Sequence, residues 1–238
     1  MLAVFVNMAT VLIGSCLGLF FRKRIKPELT TTIIDALGLA TIVIGIVSAI
    51  KTSNMLCLIV CMALGTLLGS LLQLDARINR LGSFLSDKLS RNNERYGRFT
   101  EGFVAACTLF CIGPMTIVGS LQAGIENNYS IIFAKSALDL VSSTFFAAGM
   151  GIGVPFAACF ILVFQGGLTL FANYVAPFLS ENVVTEFSAV GGVVLIGLGL
   201  NILNLSDKKI KVADMTPAIF LPVLYLYAEK LILQAFSV

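Results

Sequence analysis

The chain has 238 residues, of which 58% are hydrophobic and only 12% are Asp, Glu, Lys or Arg, with a formal net charge of +3. A soluble domain carries roughly 25% charged residues, so this chain has too little polar surface to cover its apolar side chains in water. The composition points to helices that face lipid, and so small a net charge gives no reason to expect nucleic acid as a partner.

Apolar runs of about 20 residues, the length needed to cross a hydrocarbon core, fall near 2–21, 31–50, 55–74, 102–123, 130–150, 154–177, 187–205 and 216–236. They predict an all-α, polytopic membrane bundle of about eight transmembrane helices in a single domain. The first span, apolar from Met1 to Phe21, has no basic residue ahead of it, and Arg22, Lys23, Arg24 and Lys26 follow directly. A cleaved signal peptide has the opposite charge order, so this is read as a retained span with its N-terminus outside. It carries Asn7 and the small-residue pair Gly14 and Gly18.

The second span holds Gly38 and Gly45, and the third holds Gly65 and Gly69, spacings that let helices approach closely. The Cys57/Cys61 and Cys107/Cys111 pairs stand four apart on one helix face each, open to a metal or redox reading but taken as packing residues. Segment 75–101 is the one sizeable polar stretch. Ile78, Leu81, Leu85 and Leu89 recur in it at helical spacing among Arg77, Arg80, Asp87, Lys88 and Arg91, a pattern for an amphipathic helix on the membrane surface.

The fourth span places Gly113-Pro114 in mid-membrane, followed by Gln122. Proline lacks a backbone donor and clashes with the carbonyl four residues back. The result is either a structural kink or a broken helix whose exposed polar groups meet a bound ion or solute. The fifth span holds Lys135 and Asp139, one turn apart and neighbours on one face. A charge in the bilayer is costly and faces protein or a water cavity, so the pair is read as a solute site or as a purely structural ion pair. Ser142 and Ser143 lie one turn beyond. Gln165, Asn173 and Asn201 in the sixth and seventh spans are weaker polar candidates, since membrane amides often only join helices.

The loops test this count. Lys51 is the single Lys or Arg of loops two, four and six, while Arg22 to Lys26, segment 75–101 and Lys208, Lys209 and Lys211 carry the rest of the loop cations. This positive-inside asymmetry puts both termini outside the cytoplasm. Gly38–Gly45 and Gly192–Gly199 share a seven-residue spacing in branched apolar runs, and spans 1–3 and 6–8 are therefore compared as an inverted-topology repeat. The alternative is that glycine is simply frequent in membrane helices.

The sequence contains no His, P-loop, dinucleotide fingerprint or nucleophile elbow, so no enzyme and no cofactor is expected. Asn7, the Phe110-Cys-Ile-Gly-Pro-Met115 segment with Gly119-Ser-Leu-Gln122, Lys135-Ser-x-x-Asp139, Gln165-Gly166 and Gly191-Gly192…Gly199-Leu-Asn201 resemble the YqgA/YdfK-like group of bacterial inner-membrane proteins of unknown function. That group often has an acidic residue after the second glycine of span three, where Ser70 stands here. The resemblance implies a multi-pass protein of the bacterial inner membrane and supplies no substrate. The expectation is a small secondary transporter or channel for a small polar or ionic solute, in contact with membrane lipid and paired as a homodimer. The rival is a membrane scaffold or assembly protein. The candidate solute or ion-binding residues are Asp139, Lys135, Gly113, Pro114, Gln122, Asn7, Gln165 and Asn201.

Overall fold

A computed structural model describes residues 1–22, 27–80, 99–111, 114–205 and 208–236. All regular structure among them is helical. In chain order the helices are α1 (Leu2–Arg22), α2 (Pro27–Ala49), α3 (Met55–Leu71), α4 (Leu74–Arg80), α5 (Phe99–Cys111), α6 (Pro114–Ile125), α7 (Ser130–Met150), α8 (Gly153–Leu170), α9 (Ala172–Val175), α10 (Glu181–Ile202), α11 (Val212–Met215) and α12 (Leu221–Phe236). Five of them are long and apolar enough to cross a membrane, and seven spans result if each bent pair counts as one. The bent pairs are α3 with α4, at 49°, and α5 with α6, at 55°. The final stretch begins as a 3-10 turn at Thr216–Phe220, and α12 continues it. Leu81, Leu85 and Leu89 of the expected amphipathic helix lie outside the described residues, whereas Ile78 on α4 packs against the core.

Local chemistry sets the helix ends. Asn54 caps α3 by accepting the Cys57 N–H at 3.0 Å, and Ser180 caps α10. At the end of α7, Gly151 adopts φ 87°, which a side chain would resist, and α8 starts two residues later. Apolar side chains such as Phe5, Val43, Ile59, Leu67 and Val163 point outward, as lipid-facing helices require. Burial is uneven: 78% of the most apolar window of α10 is covered by protein, against 17% for α2. α10 is thus the axis of the bundle and α2 lies at its rim.

Glycines set the closest helix contacts, and those contacts fix directions. Gly14 faces Leu140, Ser143 and Thr144, and Gly18 faces Thr144, Ala147 and Ala148, so α1 and α7 run parallel. Gly45 meets Gly192 and Ile196, while Gly38 meets Leu203, so α2 and α10 run antiparallel. Gly65 meets Ala218 and Gly69 meets Asp214, an antiparallel crossing of α3 with the last stretch. Gly102 lies beside Val154 and Gly124 beside Thr169, so α5 and α6 both travel parallel to α8. The bent pair therefore advances along α8 from near its start to near its end.

Glu186 departs from the sequence expectation. The hydropathy pattern assigns it to a connecting loop, but it sits in the second turn of α10 and is fully buried. Its carboxylate accepts from Thr52 Oγ1 at 2.6 Å, Ser53 N at 2.7 Å, Ser53 Oγ at 3.0 Å and Asn54 N at 3.0 Å. The α2–α3 turn folds over the acid and supplies every donor, which is how a carboxylate is accommodated there.

Candidate solute site

Helix α7 carries Lys135 and Asp139 at i and i+4, and their side chains form an ion pair with both residues buried. The Lys135 Nζ also stands 5.8 Å from the centroid of the Phe110 ring, at the end of α5. A cation over an aromatic face gains electrostatic stabilisation when shielded from water. Register places the pair in depth. Gly119 faces Ile131 and Ile132 across the antiparallel α6–α7 hairpin, so Lys135 lies level with the start of α6 and Asp139 with the end of α5. The helix break and the ion pair therefore occupy one layer.

The break is chemically consistent. In an unbroken helix the Phe110 carbonyl would accept from residue 114, but Pro114 has no N–H. Thr116 Oγ1 donates to that carbonyl instead, at 2.8 Å. A side-chain hydroxyl thus satisfies a group that lipid would leave orphaned. Gly113 lies outside the described residues.

Two further candidates join the layer. Asn7 on α1 donates through Nδ2 to Gln165 Oε1 on α8 at 3.0 Å, and both residues are fully buried. The Asn7 side chain also lies next to the Asp139 carboxylate. Asn7, Lys135, Asp139 and Gln165 are thus gathered from three helices that are far apart in sequence. Their hydrogen bonding is incomplete: Asn7 Oδ1 and Gln165 Nε2 are buried without a partner, as are Ser15 Oγ on α1 and Ser120 Oγ on α6. Buried polar atoms in native proteins are nearly always satisfied, so an unpaired acceptor and an unpaired donor beside one ion pair set this layer apart from ordinary packing.

The structure does not bring the other candidates here. Gln122 lies near the end of α6, where its carbonyl accepts from the N–H groups of Glu126 and Asn128 and closes the α6–α7 turn, nearer the surface than Lys135. Asn201 stands at the far end of α10. Its amide brackets Ile210, donating to the carbonyl at 2.7 Å and accepting from the N–H at 2.9 Å. Its role there is to fasten the 208–211 segment, because α1 and α8 present Asn7 and Gln165 at the other end of the bundle.

The cysteines stay within packing. Cys57 and Cys61 lie with sulfurs 3.8 Å apart and buried, Cys107 and Cys111 are buried, and Cys16 and Cys159 are exposed on the lipid-facing surface. No group of three potential metal ligands occurs among the described residues.

Comparison with known proteins places this architecture. The pattern of a protein family of unknown function, DUF554, matches residues 2–227. The chain belongs to the DUF554 family. It is 30% identical over 220 residues to the uncharacterized membrane protein YdfK of Bacillus subtilis (strain 168), covering 91% of each chain. It is also 30% identical over 219 residues to the uncharacterized protein YqgA of Escherichia coli (strain K12), covering 91% of this chain and 92% of that one. No solved structure matches. The description of YdfK as a membrane protein agrees with the long apolar helices of this chain, and the polar layer at Asp139 falls inside the region that the family pattern covers.

Proposed function

We propose that this DUF554 protein is a small secondary transporter or channel that moves a small polar or ionic solute across the bacterial inner membrane. The observation that carries this reading is the buried layer of Asn7, Lys135, Asp139 and Gln165 beside the α5–α6 break, with an amide donor and an amide acceptor left open. A solute offering one donor and one acceptor would complete both, and Asp139 would bind its cationic part or a coupled proton. Lys135 would hold the carboxylate when the solute is absent.

The eight alternating crossings of this reading agree with the packing directions, and the loop cations are what support both termini outside the cytoplasm. α1 lies parallel to α7, α2 antiparallel to α10, and α5–α6 parallel to α8, as an alternating chain demands. An inverted repeat gains support from α2 and α10. Gly38-x3-Ile42-x2-Gly45 and Gly192-x3-Ile196-x2-Gly199 carry the same residues at the same spacing. They also contact one another reciprocally: Gly45 meets Gly192 and Ile196, and Gly199 meets Gly38 and Ile42. A homodimer remains part of the proposal, since one protomer of this length makes a thin bundle with extensive exposed apolar surface.

The scaffold reading draws on a specific observation too: Lys135 and Asp139 are only 5% and 6% exposed and neutralise each other. Water access separates the two readings. With the native cysteines replaced, Ser136→Cys and Ser143→Cys flank Asp139 on its own helix. A transporter predicts that a membrane-impermeant maleimide labels at least one of them in intact vesicles. A scaffold predicts labelling of neither until the protein is denatured.

A further inference from the structure

A second polar place lies at the opposite end of the bundle from Asn7 and Gln165. Helices α4, α5 and α10 meet the 209–213 segment around a cavity of about 170 Å³. Its acids are set deep: Glu101 is 8% exposed, and Asp75 is half-buried. Asp214 lies behind Asp75, 4% exposed, and accepts the Asp75 N–H at 2.9 Å. The cations stand at the rim. Lys209 Nζ reaches Glu101 Oε1 at 2.6 Å while 64% of its side chain stays in solvent, and Lys211 is exposed. Val104, Leu198 and Ile210 form an apolar wall. Asn201 fixes that wall through its two hydrogen bonds to Ile210.

An acidic floor, a basic rim and an apolar wall in one cavity match the three parts of an aliphatic zwitterion. We propose that this cavity binds a small aliphatic amino acid, its ammonium replacing Lys209 on Glu101 and its carboxylate held by the released Lys209 and by Lys211. The exchange conserves ion pairs. The Lys209–Glu101 pair has one solvated partner and is weak enough to yield. A buried carboxylate such as Glu101 needs a cation in either state. The size fits as well, since a cavity of ~150 Å³ holds one benzene ring. The wall residues then meet a short branched side chain. The site goes beyond the solute layer at Asp139 and shares no residue with it.

The test is isothermal titration of the full chain in detergent with L-alanine and L-valine, and with isobutylamine and isovalerate, which keep valine's side chain but lack its carboxylate and ammonium respectively. The expected result is saturable binding of at least one amino acid, with isobutylamine at least tenfold weaker than valine and isovalerate weaker still. Glu101→Gln should abolish the signal, Lys211→Met should weaken it at least threefold, and Asp139→Asn should leave it unchanged. Lys211 is exposed, so its variant reports even where Glu101→Gln fails to fold. No saturable binding of either amino acid overturns the proposal, as does binding indifferent to Glu101→Gln and Lys211→Met. Binding lost in Asp139→Asn but kept in both pocket variants also overturns it, while leaving the transport reading intact.

Discussion

Glu186 and Asp139 are both acids that helices carry into the bundle, and their surroundings differ in a way that separates fastening from binding. Glu186 accepts four hydrogen bonds from one tight turn, all from neutral hydroxyl and backbone N–H donors. Asp139 is paired with one lysine, and the neighbouring Asn7 and Gln165 keep unpaired polar atoms. A fully satisfied buried acid is a structural lock, because its bonds hold the turn to the helix and its charge has no free capacity for a guest. A partly satisfied one retains capacity, and in a membrane that capacity is costly unless a guest uses it.

The largest effect that sharpens this contrast is expected at the lock. Glu186→Ala removes four hydrogen bonds that fix the α2–α3 turn, each worth about 0.5–1.5 kcal/mol or somewhat more because the acceptor is charged. The Asn54 N–H keeps Thr52 Oγ1 as a partner at 3.3 Å. Detergent-solubilised protein should then lose most of its folded fraction in a thermal-stability assay, whereas Glu181→Ala, exposed in the preceding turn, should change little. A mild effect at Glu186 would make the two acids alike and break the comparison.

Next in size is the rim contact on which the repeat reading rests. A Cβ at Gly45 would lie 2.6 Å from the Gly192 carbonyl oxygen, which is backbone and cannot turn aside, whereas nothing lies within 4 Å of Gly167. Gly45→Val should cost about 1–3 kcal/mol or more through overpacking. Gly167→Ala should be neutral or slightly stabilising in the same melting assay.

A smaller coupling belongs to the amide pair of the solute layer. Asn7→Leu and Gln165→Leu, combined in a double-mutant cycle of unfolding, should show a coupling of about 0.6 kcal/mol, the typical membrane value. A coupling well above ~1.7 kcal/mol would recast these amides as a lock of the Glu186 kind.

The smallest effect concerns the opposite face. Burial, followed by the nearby Asp214, raises the Asp75 carboxyl above its ordinary 3.8. A carboxyl raised on folding favours the folded state when protonated, and this contribution is lost as pH rises through the folded value. Wild type should therefore lose stability relative to Asp75→Asn as pH rises from about 4, as read from melting temperatures of the two proteins in parallel. A flat difference would remove the acidic character assigned to the cavity floor.

Much of this molecule is legible in the sequence because lipid imposes a simple code of length and hydropathy. The fifth span, expected at 130–150, coincides with Ser130–Met150. The Gly-Pro break also follows from backbone chemistry alone. Lys135 and Asp139 could be paired from their spacing, whereas the meeting of Asn7 with Gln165 depends on α1 lying against α8, which no local pattern encodes. Glu186 was hidden because hydropathy treats an acid as a loop residue, although Thr52-Ser53-Asn54 supplies the matching donors. The cavity at the Asn201 end was hidden because its residues come from four segments: Asn201 stood out as a polar candidate and Lys209 and Lys211 as loop cations, but nothing local joined them to Glu101 and Asp75.

The most direct test of the central claim is solute and ion flux into proteoliposomes, comparing wild type with Asp139→Asn at matched incorporation and matched melting temperature. The account predicts measurable flux in wild type and its loss in the near-isosteric variant, with the fold retained. Equal flux in both proteins, or a variant that fails to fold as Lys135→Met would, would contradict it and return the pair to a structural role.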